Sequence, residues 1–329
     1  MTSLAAADPV LPESARLESA AFCQLQCPLC PTELQTRDVI GKGALRLDDF
    51  KRFIDLNPRL RRIELAGNGE AALNKQLPEM LAYAHARGVV ARFNQGLNLN
   101  RASDALLEAF VRYDTEVIRV AIDGITQRSY ETYRVGGRLA QVIDNIKKIN
   151  AWKAHYQKPH PALVLQFIVF GHNEHEVAGA QMLARMLGME LQLRLNREAD
   201  VFPVADPAQL RDRVGAADRA EFADDAGQHY CARACLDLWL SPQVNWDGKL
   251  LGCSRNKWSS LAPDAFDRPL DELANVEAMA YTRSVVLGQN PPRSDTPCQH
   301  CDVYAYMRDS GNFLARPPGA AERAEETAL

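Results

Sequence analysis

The chain has little of what marks a nucleic-acid-binding, secreted or membrane-spanning protein. It has no positive balance: 38 Lys and Arg face 42 Asp and Glu, a formal charge of −4. No global basic field therefore points to nucleic acid or an anionic membrane. It has no long apolar run either, since the longest, Ala162–Phe170, is too short to cross a bilayer. A secretory signature is missing, because Met1–Ala20 has neither a basic start nor a continuous apolar core. There is no internal repeat, and the only biased stretch is the Ala/Glu-rich Pro317–Leu329. These absences leave a soluble, cytoplasmic protein with no nucleic-acid or membrane partner as the expectation.

What is present in abundance is clustered cysteine. Eight cysteines fall in two groups, 23/27/30 and 231/235/253/298/301. In a chain that is not exported, such clusters point to metal more than to disulfides. Cys23, Cys27 and Cys30 stand at C-x3-C-x2-C spacing. Three thiolates on one tight loop can hold three irons of a 4Fe–4S cubane and leave the fourth open. Soft thiolates select iron–sulfur clusters or zinc. A structural zinc site needs a fourth ligand nearby, and the next Cys or His after Cys30 is His85.

At 329 residues the chain can form one large domain and a smaller one. Behind the cysteine loop the hydrophobic pattern alternates between strand and helix. Arg16–Ala21, Arg61–Ala66, Val89–Phe93, Val117–Ile122, Leu163–Phe170 and Glu190–Leu195 read as strands. Leu47–Leu56, Leu77–Ala86, a Ser103-capped segment through Val111, Leu139–Tyr156 and Glu174–Leu187 read as helices. Near-continuous apolar strands in this alternation argue for a parallel sheet with both faces covered. Six such units suit an α/β fold, a partial (β/α)6 TIM-like barrel, with ligands at the C-terminal ends of the strands. The expected divisions are an irregular tail at 1–15, the barrel at 16–200, a linker with a solvated helix at 201–228, a small cysteine-rich domain at 229–312 and a tail at 313–329.

Several short motifs fall at those strand ends. Gly67-Asn68-Gly69-Glu70 follows the second strand; its glycines allow close backbone approach, and its carboxylate can accept bonds from an ammonium. Asn94-Gln95-Gly96 reads as a turn after the third strand. Asp123-Gly124 follows the fourth strand, with Tyr133-Arg134 beyond it. An Asp there suits hydroxyls, while an Arg suits either a carboxylate or a structural ion pair.

Taken together, the cysteine loop and these motifs resemble the radical S-adenosylmethionine (SAM) superfamily. The resemblance implies a 4Fe–4S cluster on Cys23, Cys27 and Cys30 whose open iron chelates SAM, and reductive cleavage of SAM to methionine and a deoxyadenosyl radical. It implies that Gly69 and Glu70 hold the SAM amino group, Asp123 the ribose and Arg134 the carboxylate. The fifth strand ends Phe167-Ile168-Val169-Phe170-Gly171-His172-Asn173-Glu174. Val169, Gly171 and Glu174 match the family's adenine-binding pattern. Leu29 departs from the aromatic residue usual before the third cysteine, and Asn68 and Phe167 replace glycines.

The second group contains four further soft ligands. Asp247-Gly248 is a hairpin signal between Cys235 and Cys253, and Cys298-x2-Cys301 adds a pair on one turn. A fully ligated second 4Fe–4S cluster and a structural zinc ribbon both suit Cys235, Cys253, Cys298 and Cys301. Cys235, Gly248 and Cys253 resemble the SPASM/twitch extension of radical SAM enzymes, which implies the auxiliary cluster. Cys231 is left over: a hydrogen-atom donor to substrate, a substitute ligand or a small buried hydrophobe. The expected function is oxidation or epimerisation of a small molecule such as a sugar or aminocyclitol, with flavodoxin or ferredoxin as reductant. Modification of a peptide or protein, as by a RiPP maturase, and a non-catalytic SAM-binding scaffold are the alternatives.

Overall fold

The computed structural model describes residues 9–30 and 39–319. The expected tails at 1–15 and 313–329 lie mostly outside them. The first half alternates strand and helix: β1 (Ser14–Leu17), α1 (Leu47–Leu56), β2 (Arg62–Glu64), α2 (Leu77–Ala86), β3 (Val90–Leu97), α3 (Asp104–Arg112) and β4 (Val117–Ala121). It continues with α4 (Gln127–Tyr133), α5 (Leu139–Tyr156), β5 (Ala162–Val169), α6 (Val177–Met186) and β6 (Glu190–Leu195). The six strands lie in sequence order, each parallel to its neighbour. This is the α/β partial barrel that the alternation implies.

Local chemistry explains the elements. Asp48 and Asp49 sit in the first turn of α1, where the helix dipole favours them, and Phe50, Phe53 and Ile54 form its buried face. Ser103 accepts from the Leu106 amide and caps α3. The strands are not the continuous apolar runs expected. Ile63, Leu65, Phe93, Ile118 and Val120 are fully buried in the core with the helices. Between them Arg62, Glu64, Arg92 and Asn94 face the barrel interior and line its cavity. The period of two puts apolar side chains under the helices and charged ones inside.

Three other expectations change. Strand β3 runs through Asn94-Gln95-Gly96 instead of turning there; the register shifts between Phe93 and Leu97, and Gly96 takes φ +103°. The helix expected from Glu174 starts as a 3-10 turn over Glu174–Glu176. The linker carries two short helices, α7 (Pro207–Val214) and α8 (Arg219–Ala226). Asp206 and Asp218 cap them, and Leu210, Ala216 and Ala223 are buried while most of their neighbours are exposed, so the segment packs on the protein through a few apolar residues and is solvated elsewhere.

The chain then forms α9 (Asp237–Leu240), β7 (Gln243–Val244), β8 (Leu250–Gly252), α10 (Leu270–Leu273), α11 (Glu277–Val286) and α12 (Asp302–Ser310). The Asp247-Gly248 turn closes the β7–β8 hairpin as expected. That hairpin does not stand apart from the barrel. β7 pairs in parallel with β1, Arg16 opposite Gln243 and Leu17 opposite Val244, so one sheet runs through eight strands. The Leu270 amide donates to Asn57 Oδ1 (2.6 Å) at the end of α1, which docks the C-terminal segment on the barrel's outer layer. Among the described residues, no helix is long and apolar enough to cross a membrane.

Candidate functional site

The cysteine loop leaves β1 and crosses the turn after β2 at very short range. Glu18, buried at the end of β1, accepts bonds from the Asn68 amide (2.7 Å), Asn68 Nδ2 (2.9 Å) and the Gly69 amide (3.3 Å). A Cβ on Gly69 would fall 2.1 Å from the Ala20 carbonyl and 2.5 Å from the Phe22 amide nitrogen. Only glycine allows this crossing, which the Glu70 amide closes by donating to the Phe22 carbonyl (2.9 Å). Gly69 thus seats the cysteine loop.

Glu70 is placed beneath that loop. One carboxylate oxygen, Oε2, accepts from the Asn98 amide (2.8 Å), and Oε1 is buried without a hydrogen-bond partner among the described residues. Burial raises its pKa to about 7. Cys23 Sγ accepts from the Leu25 amide (3.4 Å) and from Asn98 Nδ2 (3.6 Å). Cys27 Sγ accepts from Arg134 Nη1 (3.7 Å), and the Cys30 amide turns back to the Cys27 carbonyl (3.0 Å). Burial pushes the Cys23 thiol up to about 12, and Glu70, Cys27 and Cys30 add to the rise. Burial raises Cys27 too, against the pull of Arg134. Such thiols give up protons to a metal rather than to neutral water.

The next two strand ends hold one another. Arg134 Nε donates to Asp123 Oδ2 (2.5 Å), and Asp123 Oδ1 accepts from the Ile168 amide (2.7 Å). Burial works against the Arg134 cation, but Asp123 and Cys27 outweigh it and hold its pKa well above normal. Each Asp123 oxygen has one partner and the side chain is fully buried, so this residue orients Arg134 and fastens β5. Asn173 adds to the same knot: its Nδ2 donates to the carbonyls of Asp123 and Ile168 (both 3.0 Å).

At the end of β5 three of the expected residues make contacts within the chain. Val169 is buried in the core, and its neighbour Ile168 lines the barrel cavity. A Cβ on Gly171 would lie 1.9 Å from the Pro203 carbonyl oxygen, and the Gly171 amide donates to the Phe202 carbonyl (2.9 Å). Glu174 accepts from the amides of Ala205 (3.0 Å) and Asp206 (3.2 Å). Gly171 and Glu174 therefore anchor the segment after β6.

The second cysteine group is sorted by the fold. Cys235, Cys253, Cys298 and Cys301 are buried and line one small enclosed space with Trp258, Thr282 and Tyr304. Burial pushes the Cys253 thiol up to about 12, with Cys301 adding to it. No group of His, Cys, Asp or Glu among the described residues is placed to grip a single metal ion. Cys231 is elsewhere. It lines a separate cavity of about 530 Å³ inside the barrel, with Arg219 Nη1 3.7 Å from its sulfur. Gly67, Asn68 and Ile168 reach the same cavity from the strand ends.

No family model and no curated protein sequence matches the chain. Solved structures do. Streptococcus suis SuiB bound to S-adenosylmethionine superposes with a TM-score of 0.64 at 11% identity, covering 90% of this chain and 72% of SuiB. SuiB bound to precursor peptide SuiA gives 0.62 at 10% identity, over 90% and 70%. Histidine-tagged anSMEcpe with bound AdoMet gives 0.58 at 12% identity, over 96% of this chain and 91% of that one.

The fold is that of the radical SAM enzymes.

A radical SAM site needs three soft ligands beside acceptors and donors for an amino acid moiety. The residues here fit: three thiols on one loop, an unpartnered buried carboxylate oxygen on Glu70, and the guanidinium of Arg134. Sequence reasoning missed Glu18, Asn98 and Asn173, which fix these groups. Each acts across 28 or more residues and belongs to no local motif, although Asn98 lies just beyond the Asn94-Gln95-Gly96 stretch.

Proposed function

We propose that the chain is a radical SAM enzyme with two iron–sulfur centres acting on a small molecule held in the barrel cavity. The observation that carries this is the buried, unpartnered Glu70 Oε1 beside the three-thiol loop on a radical SAM fold. Cys23, Cys27 and Cys30 would hold a 4Fe–4S cluster with one iron open to SAM. Glu70 Oε1 would accept a bond from the SAM ammonium, and the remaining donors of Arg134 would meet its carboxylate. When bound, the cluster and SAM together supply a deoxyadenosyl radical that abstracts a hydrogen atom. The chain positions the reactants and excludes water, with Asp123 and Asn98 keeping Arg134 and Glu70 in place.

Cys235, Cys253, Cys298 and Cys301 would close a second cluster, because four buried thiols line one small space. Cys231 faces the cavity and not that space, which supports a role as hydrogen-atom donor in an epimerisation. In deuterated water the product would then carry one solvent deuterium, and Cys231→Ala would lose inversion while keeping its iron. A peptide substrate is the second reading, favoured by the likeness to SuiB, a structure of which holds a precursor peptide.

Anaerobic reconstitution should yield about eight irons per chain. Incubation with dithionite and SAM should then release 5′-deoxyadenosine. A protein that loads iron and binds SAM yet releases none is a scaffold, and the enzyme reading fails.

A further inference from the structure

The barrel cavity has a charge opposite to that of the chain. The chain carries a net −4, but eight Arg and Lys side chains line the cavity against two carboxylates, Glu64 and Asp237. Both carboxylates are already engaged. Glu64 accepts from the amides of Ala66 (3.1 Å) and Asn94 (3.0 Å). Asp237 accepts from the Ser254 amide (3.0 Å) and lies 3.8 Å from Arg16.

Some of the cations are also neutralised from behind. Arg92 and Arg62 meet Glu116 at 3.0 and 3.8 Å, and Arg255 meets Asp302 at 2.5 Å. Three others are not. Arg219 donates to the Leu195 carbonyl (3.2 Å) and approaches the Cys231 sulfur, both uncharged partners when the thiol is protonated. The side chains of Arg194 and Lys257 have no hydrogen bond or ion pair among the described residues. Lys257 is crowded by burial and by Arg197 and Arg255, which lower its pKa to about 8. Cations gathered in a low-dielectric cleft without counter-charges focus a field on whatever enters. A cavity of about 530 Å³ takes a small molecule, not a folded partner.

We propose that the substrate is a small anion whose carboxylate or phosphate group seats on Arg194, Arg219 and Lys257, beside Cys231. This deepens the enzyme reading and rests on the cavity being its substrate chamber. The competing explanation is that these cations serve the clusters, since Lys257 also feels Cys30 and Arg255 feels Cys301. The two explanations separate on iron content.

The test uses the full chain, reconstituted with iron under anaerobic conditions, and isothermal titration with inorganic pyrophosphate, succinate and neutral xylitol. The expected result is saturable binding of at least one anion and none of xylitol, weakened about tenfold or more by Lys257→Gln and by Arg194→Gln at unchanged iron content and melting temperature. Tighter binding of pyrophosphate marks a phosphate substrate, and tighter binding of succinate a carboxylate. The proposal is overturned if neither anion binds better than xylitol, if both variants bind as wild type does, or if they lose iron. Absence of 5′-deoxyadenosine from wild type would sink the enzyme reading alone and leave the anion site standing.

Discussion

The two cysteine groups are built on opposite plans. The first is an open loop: Cys23 and Cys30 are partly exposed, the Cys23 sulfur is met by the Leu25 amide and Asn98, and the Cys27 sulfur by Arg134. The second is closed: all four thiols are buried, and they come from three separate stretches of chain folded round one space. An open three-ligand site leaves a coordination position for a reactant, and a closed four-ligand site does not. On the proposed reading, the difference reserves chemistry for the barrel mouth and gives the other group electron transfer or structural duties.

The largest effect expected comes from breaking the open site. Cys23→Ala, Cys27→Ala and Cys30→Ala together should remove about half of the iron and abolish SAM cleavage, measured by iron assay and by 5′-deoxyadenosine release. Retention of all the iron would erase the distinction. Breaking the closed site should instead act on the fold. Cys298→Ala with Cys301→Ala should remove the other half of the iron and lower the melting temperature, while SAM still binds. Zinc in place of iron at that site, found by elemental analysis, would contradict the assignment.

Smaller changes sharpen the contrast inside the open site. Glu70→Gln keeps the bond to Asn98 but removes the charge, and should weaken SAM binding about tenfold or more with the cluster spectrum intact. Unchanged affinity would reduce Gly67–Glu70 to a turn. Gly171→Ala forces a Cβ against the Pro203 carbonyl and should cost about 1–3 kcal/mol of stability in a denaturant titration. Glu174→Ala releases two amides that water can reach, so the expected cost is about 1 kcal/mol, with SAM affinity changed by less than about twofold. A large loss of SAM affinity would return Glu174 to the adenine site.

Helices with a strong repeat or a clear cap were legible to the residue: Leu47–Leu56, Leu77–Ala86 and Leu139–Tyr156 occupy the expected ranges. Strand ends were less so, because β1 ends at Leu17 while the apolar pattern runs on to Ala21. The signals for α7 and α8 were present, Asp206 and Asp218 as caps with Gly215 and Gly227 as stops, but the charged composition between them reads as solvated linker. The cysteines were legible because ligand spacing on a loop is local. Glu18 and Asn98 were not, because their partners are remote in sequence and a lone Glu or Asn has no period. The charged lining of the barrel was hidden for a related reason: each of Arg62, Arg92 and Arg194 sits alone in a strand, and only the sheet brings them to one cavity.

The pairing of β7 with β1 also sets an order of assembly. β1 delivers the cysteine loop, yet one of its two neighbours, Gln243–Val244, is made more than 220 residues later. Until then a nascent chain presents β1 as an unpaired strand edge, a surface that invites wrong partners. So long-range a contact is also slow to close. Synthesis thus places Cys23, Cys27 and Cys30 early and their supporting sheet late. Iron inserted before residue 243 has emerged would meet a loop held from one side only.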